Sequence, residues 1–304
     1  MFASSVHQLQ IFLDSLVVEA GRVGLQFSPH KCAVLPQGFS PNEINVKIGS
    51  ATIPVVDSFV YLGSTIESGG EASSEVLRRI GLAWSVMKSL KHLWSSKNIS
   101  LRVKGQVYEA CVRSVLLYGS ETWTLTNKML SRISSVDSRC LRWISRTKWH
   151  DFVSNVDVQK AVFGQRSQDV GDIRRVVQER QLRWLGHVTR MSENRLPLRV
   201  VSAPARSDWK RSVAGCRLHW RKMMGQVTLP LCRDGRGRIC YNQMKEKRFD
   251  FRPWLNFVEM FSGDRSLWRK ITSCIVRNKS VHETGDLAIL RDFVVSLRTH
   301  NGRR

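Results

Sequence analysis

Two stretches of this 304-residue chain set arginine forks beside tryptophan rings. In the first, Arg139, Arg142, Arg146 and Lys148 surround Trp143 and Trp149. In the second, Arg180 and Arg183 lie beside Trp184 and His187. A guanidinium grips phosphate through paired N–H donors, and an indole face can stack on a base exposed in a single strand. The chemistry these groups offer is recognition of a polynucleotide rather than bond making. The plainer alternative is a solvated charged face over a core. Tryptophan at helical spacing packs inward more often than not, so Trp143 and Trp184 are expected to be at least half buried. His187 has no Cys or Asp partner at metal spacing and reads as a hydrogen-bonded structural residue.

Charge points the same way. There are 48 Lys and Arg against 25 Asp and Glu, a formal +23. Residues 1–70 hold three basic and five acidic groups, a net −2, so residues 71–304 carry +25. Such an excess repels itself unless a polyanion neutralises it, and nucleic acid is the usual one. A solubilising surface or an acidic protein partner are the alternatives. The apolar share is 42%, enough for a packed interior. No stretch approaches the ~20 apolar residues of a membrane helix, and MFASSVHQLQ lacks the layout of a secretory signal. The expectation is an intracellular protein of nucleus or cytoplasm, with no membrane partner and no small-molecule cofactor.

The seven cysteines are odd in number and form no Cys-x-x-Cys pair, which reads as reduced thiols. Cys216, His219, Cys232 and Cys240 could be forced into a four-ligand zinc site, but their spacing fits no common pattern, and no metal is expected. Paired acidic ligands for catalytic metal ions are also missing: the sequence contains no Asp-Asp dipeptide, and Asp14, Asp57 and Asp137 fall in helix or strand-edge contexts.

The elements that must position these groups follow from periodicity. Residues 5–23 read as an amphipathic helix with Ser5 and Gln8 at capping-box spacing; Leu9, Leu13, Leu16, Val17 and Ala20 face inward, and Gly24 ends it. Extended segments are predicted at Gly24–Phe27 and Lys31–Leu35. A hairpin is predicted over Asn45–Val55 around Gly49-Ser50, and a further strand at Phe59–Leu62. Past Gly69-Gly70 the period becomes helical. Val76, Ile80, Ala83, Met87, Leu90 and Trp94 form one seam. Helices follow at about 101–118, at 125–144 with Met129, Ile133, Val136 and Cys140 inward, and at 169–191. Arg132, Arg139, Arg142 and Arg146 step by 7, 3 and 4 onto one face of the second of these. Pro197 and Pro204 bracket a boundary. Shorter segments lie around 209–224, 254–261, 266–276 and 287–297, with a loop at Asp234–Gly237. The fold class is α+β, with domains at 1–68, 69–150, 151–201 and 202–304.

Several segments, in order, resemble the C-terminal portion of a non-LTR (LINE-type) retrotransposon reverse transcriptase. They are Ala3–Leu35 with Gly24, Leu25, Lys31 and Cys32; FVYLGSTI (Phe59–Ile66); RRIGLAWSVMKSL; VLLYGSETWTL; RCLRWISRTKWHD; RQLRWLGHVTRM; and, more loosely, the tail with SLWRKI. The resemblance implies a partial palm (one helix and short antiparallel strands) with a primer-grip hairpin. After it come a helical thumb-like domain, a basic helical connector and a helical tail of unassigned role. In that family the metal-binding aspartates precede the region matched here. The resemblance therefore implies a fragment that binds template RNA, RNA–DNA hybrid or DNA but does not polymerise alone, Mg²⁺ belonging to an intact parent enzyme. An independent nucleic-acid-binding protein derived from an element remnant is the alternative. Oligomeric state and the choice of RNA or DNA stay open.

Residue by residue, the resemblance gives Lys31 an accessory role beside a departing pyrophosphate, against a solvated lysine at a strand edge. It places Phe59, Tyr61, Leu62 and Gly63 in the primer grip, where glycine permits close backbone approach; Tyr61 and Leu62 are expected to be largely packed. Arg78, Arg79, Lys88 and Lys91 lie off the apolar seam of the first thumb-like helix and would meet backbone phosphates. Arg139, Arg142, Arg146, Lys148, Arg180 and Arg183 complete the expected nucleic-acid-binding set.

Overall fold

The computed structural model describes residues 1–70, 72–167, 171–203, 220–228 and 252–277. The architecture is α+β, mostly helical with two short antiparallel strand pairs. It divides into two compact units, Met1–Arg79 and Ile80–Arg304. Residues 209–219 of the segment read at 209–224, Asp234–Gly237 and 287–297, together with Cys216, His219, Cys232 and Cys240, lie outside the described residues.

The first unit opens with α1 (Val6–Arg22). Ser5 Oγ accepts the Gln8 N–H at 3.1 Å, satisfying a donor that the first turn leaves unpaired. The reciprocal half of the capping box is not made: Gln8 Oε1 accepts from Ser4 instead. At the other end Leu25 N–H reaches Ala20 O at 2.9 Å and Gly24 N–H reaches Gly21 O at 3.1 Å. Gly24 sits at φ +77°, a left-handed cap that glycine adopts without steric penalty. Leu13 is buried with Val46 and Ile53, and Leu9 and Val17 pack partly against them. Leu16, expected inward, is exposed, as are Ile11, Phe12 and Val18. The cause is coverage: α1 rests on a ribbon of β1 (Lys47–Ile48) and β2 (Ala51–Thr52), too narrow to shield more than one stripe. The Gln10 side chain fixes the contact, donating to Lys47 O and accepting from Lys47 N–H, each at 2.9 Å.

The Gly49-Ser50 turn stands where the sequence places it, pairing Ile48 with Ala51. The extended segment expected at Gly24–Phe27 is not a strand. Pro29–Lys31 closes a 3₁₀ turn instead, and of Lys31–Leu35 Val34 alone pairs, in an isolated bridge to Val55. A second ribbon follows, β3 (Ser58–Tyr61) against β4 (Ser64–Glu67), over the segment expected to form a hairpin. Leu62 (φ +48°) and Gly63 (φ +77°) make its two-residue turn, the double-positive geometry that matches strand twist.

Next come α2 (Ser73–Ser89) and α3 (Lys91–Ser95). The predicted seam holds: Val76, Ala83, Met87 and Trp94 are buried, and Ile80 and Leu90 are half-buried. The helix breaks at Leu90, where Trp94 Nε1–H bonds Met87 O across the break at 2.9 Å. The helix predicted at 101–118 is α4 (Leu101–Val107), a π-helical stretch at Tyr108–Arg113, then α5 (Ser114–Leu116). After it come α6 (Asn127–Ser145), α7 (Asn155–Phe163) and α8 (Ile173–Thr189), capped by Thr126, Ser154 and Asp172. On α6, Ile133, Val136 and Cys140 are buried and Met129 half-buried, as their spacing predicts.

Pro197 enters the first turn of α9 (Leu196–Ser202), where a missing N–H costs nothing. Then come α10 (Trp220–Val227), α11 (Arg252–Ser262) and α12 (Arg265–Val276). One apolar core joins Leu182, Leu185 and Val188 of α8 to Val201, Met224, Trp254, Phe261 and Trp268. Gly186 lets this core close, because a Cβ there would fall 2.5 Å from Trp268 Cδ1.

Candidate nucleic-acid interface

The sequence-selected residues fall into two groups: cations that hold the fold, and cations and rings that face solvent. In the first unit Glu75 is a junction. Its carboxylate accepts the Thr65 N–H at 2.7 Å and pairs with Arg79 at 2.5 Å and Arg78 at 3.1 Å. Both guanidinium groups also donate to Gly63 O. Arg79 is only 6% exposed. These two arginines clamp the β3–β4 turn to α2, while Phe59, Tyr61 and Leu62 project outward, all exposed. Tyr61 and Leu62 were expected to be largely packed; the correction follows from the ribbon having two strands and from Leu62 occupying the turn itself. Lys31 is exposed at the end of its 3₁₀ turn, with no strand edge beginning there.

Burial opposes ionisation of Glu75, but hydrogen bonds from Thr65, Arg79 and Arg78 outweigh it and hold the carboxyl below its ordinary 4.5. A lowered value in the folded state means stabilisation that is complete above 4.5 and lost as the pH falls through the folded value. Thermal unfolding of the chain followed at hairpin amides should therefore soften below pH 4.5, and Glu75→Gln should be weaker at neutral pH but remove that acid-side dependence.

In the second unit two cations cap the end of α3, where unpaired carbonyls concentrate negative potential. The buried Lys104 ammonium donates to Trp94 O at 2.9 Å and Ser96 O at 2.7 Å, and Arg146 donates to Ser95 O. Burial and the nearby Arg146 charge push Lys104 below the usual lysine range. Arg146 was expected on one helix face with Arg132, Arg139 and Arg142. It lies instead past the end of α6 at φ +59°, because the helix stops at Ser145. Arg142 reaches Val153 O at 2.6 Å and Asn155 Oδ1 at 3.1 Å, holding the segment that enters α7.

The segments VLLYGSETWTL and RQLRWLGHVTRM meet where Arg180 and Gln181 of α8 dock on the turn after α5. Gly119, at φ +75°, turns the chain after α5. Arg180 of α8 donates to Leu117 O at 2.8 Å and lies 3.7 Å from Glu121. Gln181 Nε2 donates to Ser120 O and Trp123 O. Trp220 Nε1–H closes on Glu121 O at 2.8 Å. Arg183 pairs with Glu179 along α8 at 2.5 Å. His187, expected to be hydrogen-bonded, is exposed with its ring 5.4 Å from that of Trp184. Trp184 is half-buried and Trp143 is 37% exposed, so both are at least half buried, as the spacing predicts.

The solvent-facing group comprises Lys88, Lys91, Arg139 and Lys148, all exposed, with Arg139 stacked 5.7 Å over the Trp84 ring. Two rings also stand almost wholly in solvent, Trp149 at 84% and Phe152 at 90% exposure. Phe152 has no counterpart among the sequence-selected residues. The signal available for it was its position two residues before the Ser154 helix cap, which places it on a connection rather than an apolar stripe.

Asp137 was also unselected. It is buried, its carboxylate taken by Arg113 (2.7 and 2.8 Å) and by the Tyr108 hydroxyl (2.7 Å). Its spacing was the clue, four residues past Ile133 and three before Cys140, on the inward stripe. Asp14 accepts from Gln10 on α1 and Asp57 is exposed beside the first residue of β3. These three carboxylates do not fit a two-magnesium site, and among the described residues no three His, Cys, Asp or Glu side chains cluster as metal ligands. No helix among the described residues is long and apolar enough to cross a membrane.

No protein-family model matches the chain, and no solved structure does. Over 215 residues it is 27% identical to an uncharacterized Caenorhabditis elegans protein described as transposon-derived, covering 68% of this chain and 74% of that protein.

Proposed function

We propose that the chain derives from a transposable element and is the template–primer-gripping part of a LINE-type reverse transcriptase. It holds template RNA, RNA–DNA hybrid or DNA inside the cell through phosphate contacts and performs no polymerisation alone. The charge asymmetry carries this reading: residues 71–304 bear +25, and Lys88, Lys91, Arg139 and Lys148 present part of that excess to solvent. The similarity to a transposon-derived protein supports the transposable-element origin, and the ordered motifs support the LINE-type reading. Phe59, Tyr61, Leu62 and Gly63 form a projecting hairpin suited to touch a nucleic-acid strand, with Arg78 and Arg79 bracing it from behind. Lys31 keeps the accessory role that the resemblance gives it, a cation beside the departing pyrophosphate of an intact parent enzyme.

The test is affinity against salt concentration. Each phosphate contact steepens the log–log slope by roughly 0.7 for single strands and 0.9 for duplex DNA. Lys88→Gln with Lys91→Gln is expected to flatten the slope by about 1.4 to 1.8 and to weaken binding similarly for every sequence. A slope near zero for the unmodified chain would refute nucleic-acid binding. Nucleotide incorporation on a primed RNA template with Mg²⁺ would refute the non-catalytic assignment.

A further inference from the structure

We infer that the connection from Arg146 to Ser154 is a stacking platform for unpaired nucleotides, so that the nucleic acid gripped here includes a single-stranded segment. The inference rests on the nucleic-acid reading above and adds to it a place and a ligand form.

Three observations converge on this connection. The first is exposure. Aromatic rings are normally buried, yet Trp149 and Phe152 stand three residues apart with 84% and 90% of their surfaces in water. The second is fixation. Asp151 Oδ2 accepts the Lys148 N–H at 2.6 Å, and Arg142 holds Val153 O at 2.6 Å. Phe152 between them is locked at φ +52°, a backbone region that side-chain-bearing residues rarely occupy. Trp149 meets His150 in a T-shaped pair at 5.6 Å. The rings are thus presented on a held turn.

The third observation is charge, and it selects the occupant. Residues 139–160 carry five basic groups and two acidic ones, with Lys148 exposed immediately before Trp149. A partner that is anionic and also offers flat apolar faces is a polynucleotide. Within a duplex the faces of the bases are covered by their neighbours, so rings of this kind meet bases in unpaired strands.

Binding should be measured with the full chain over one matched series of salt concentrations, using a short single-stranded RNA, a single-stranded DNA of the same sequence, and the corresponding duplex. W149A/F152A is expected to lose at least about tenfold in affinity for the single strands, while duplex affinity stays within about twofold. The salt slope should not change, since no charge is removed. W149F/F152Y, which keeps both rings, should bind within about threefold of the unmodified chain. The difference in tryptophan emission between the unmodified chain and W149F should be quenched on adding single strand, a readout independent of affinity. Because both rings lie in solvent, the thermal midpoint of W149A/F152A should match the original, which separates lost binding from lost fold.

Unchanged single-strand affinity in W149A/F152A, or equal loss on single strand and duplex, would overturn the platform while leaving nucleic-acid binding in place. Failure of the unmodified chain to bind any of the three would overturn both. Binding to vesicles of anionic lipid that W149A/F152A abolishes, with oligonucleotide binding intact, would assign the rings to a membrane surface and overturn the platform as well.

Discussion

Asp137→Ala is expected to destabilise the Ile80–Arg304 unit by about 3–5 kcal/mol, read as a lower urea midpoint at unchanged slope. The size follows from what would be left behind. Arg113 is 2% exposed, and besides Asp137 it has Gly171 O at 3.1 Å and the rings of Phe163 and Tyr108 at 4.9 and 5.6 Å. Burial works against its charge, but Asp137 more than offsets this and keeps the guanidinium ionised. Without the carboxylate, an uncompensated charge sits in the core and the Tyr108 hydroxyl loses its acceptor. Burial and the same carboxylate push the Cys140 thiol up to about 12, so that neighbour stays protonated and adds no negative charge. Replacing the whole network, as R113M/D137L/Y108F, should recover most of the lost stability, because an apolar set of similar volume needs no compensation. A cost below about 1 kcal/mol for Asp137→Ala alone would show that the network does not hold this core together.

Gly186→Ala is the second large effect, a loss of about 1–3 kcal/mol or more where helix propensity alone would give a gain of up to ~1 kcal/mol. The added methyl would collide with the five-membered ring of Trp268, 2.5 Å from Cδ1 and nearer still to Nε1. That ring is 3% exposed and donates Nε1–H to Leu182 O at 3.0 Å, so it can withdraw only by giving up the bond and opening the core. Trp268→Phe, which removes Nε1, the nearest colliding atom, should partly rescue Gly186→Ala in a double-mutant comparison of thermal midpoints. Gly81→Ala is the control: nothing lies within 4 Å of a Cβ there, and it should be neutral or mildly stabilising.

Periodicity made much of this architecture legible. The seam from Val76 to Trp94 and the inward stripe of α6 are where a 3.6-residue repeat puts them, and Gly49-Ser50 turns the first ribbon. What escaped depends on partners distant in the chain. Arg78 and Arg79 look like a solvated pair until Gly63, 15 and 16 residues earlier, supplies the acceptor. Arg180 sits in a basic run, and only the docking of α8 on the turn after α5 shows that it holds Leu117 O across 63 residues. Of the candidate interface, the exposure of Lys88, Lys91, Arg139 and Lys148 could be anticipated from their places off the apolar stripes. The outward side chains of Leu62 and Phe152 could not, because backbone sign at a turn is set by closure of the chain and not by composition.

The π-helical stretch at Tyr108–Arg113 changes the phase of the rod it interrupts. Each residue of an α-helix advances the side chain by about 100°, and the wider turn absorbs roughly one residue of that winding. Residues five apart, which an ordinary helix would send in divergent directions, meet the same carboxylate here, Tyr108 and Arg113 both bonding Asp137. The halves on either side can then serve different clients: upstream, Lys104 grips the end of α3, and downstream, the Leu117 carbonyl receives α8. A continuous helix of the same length would bring one of those encounters out of alignment.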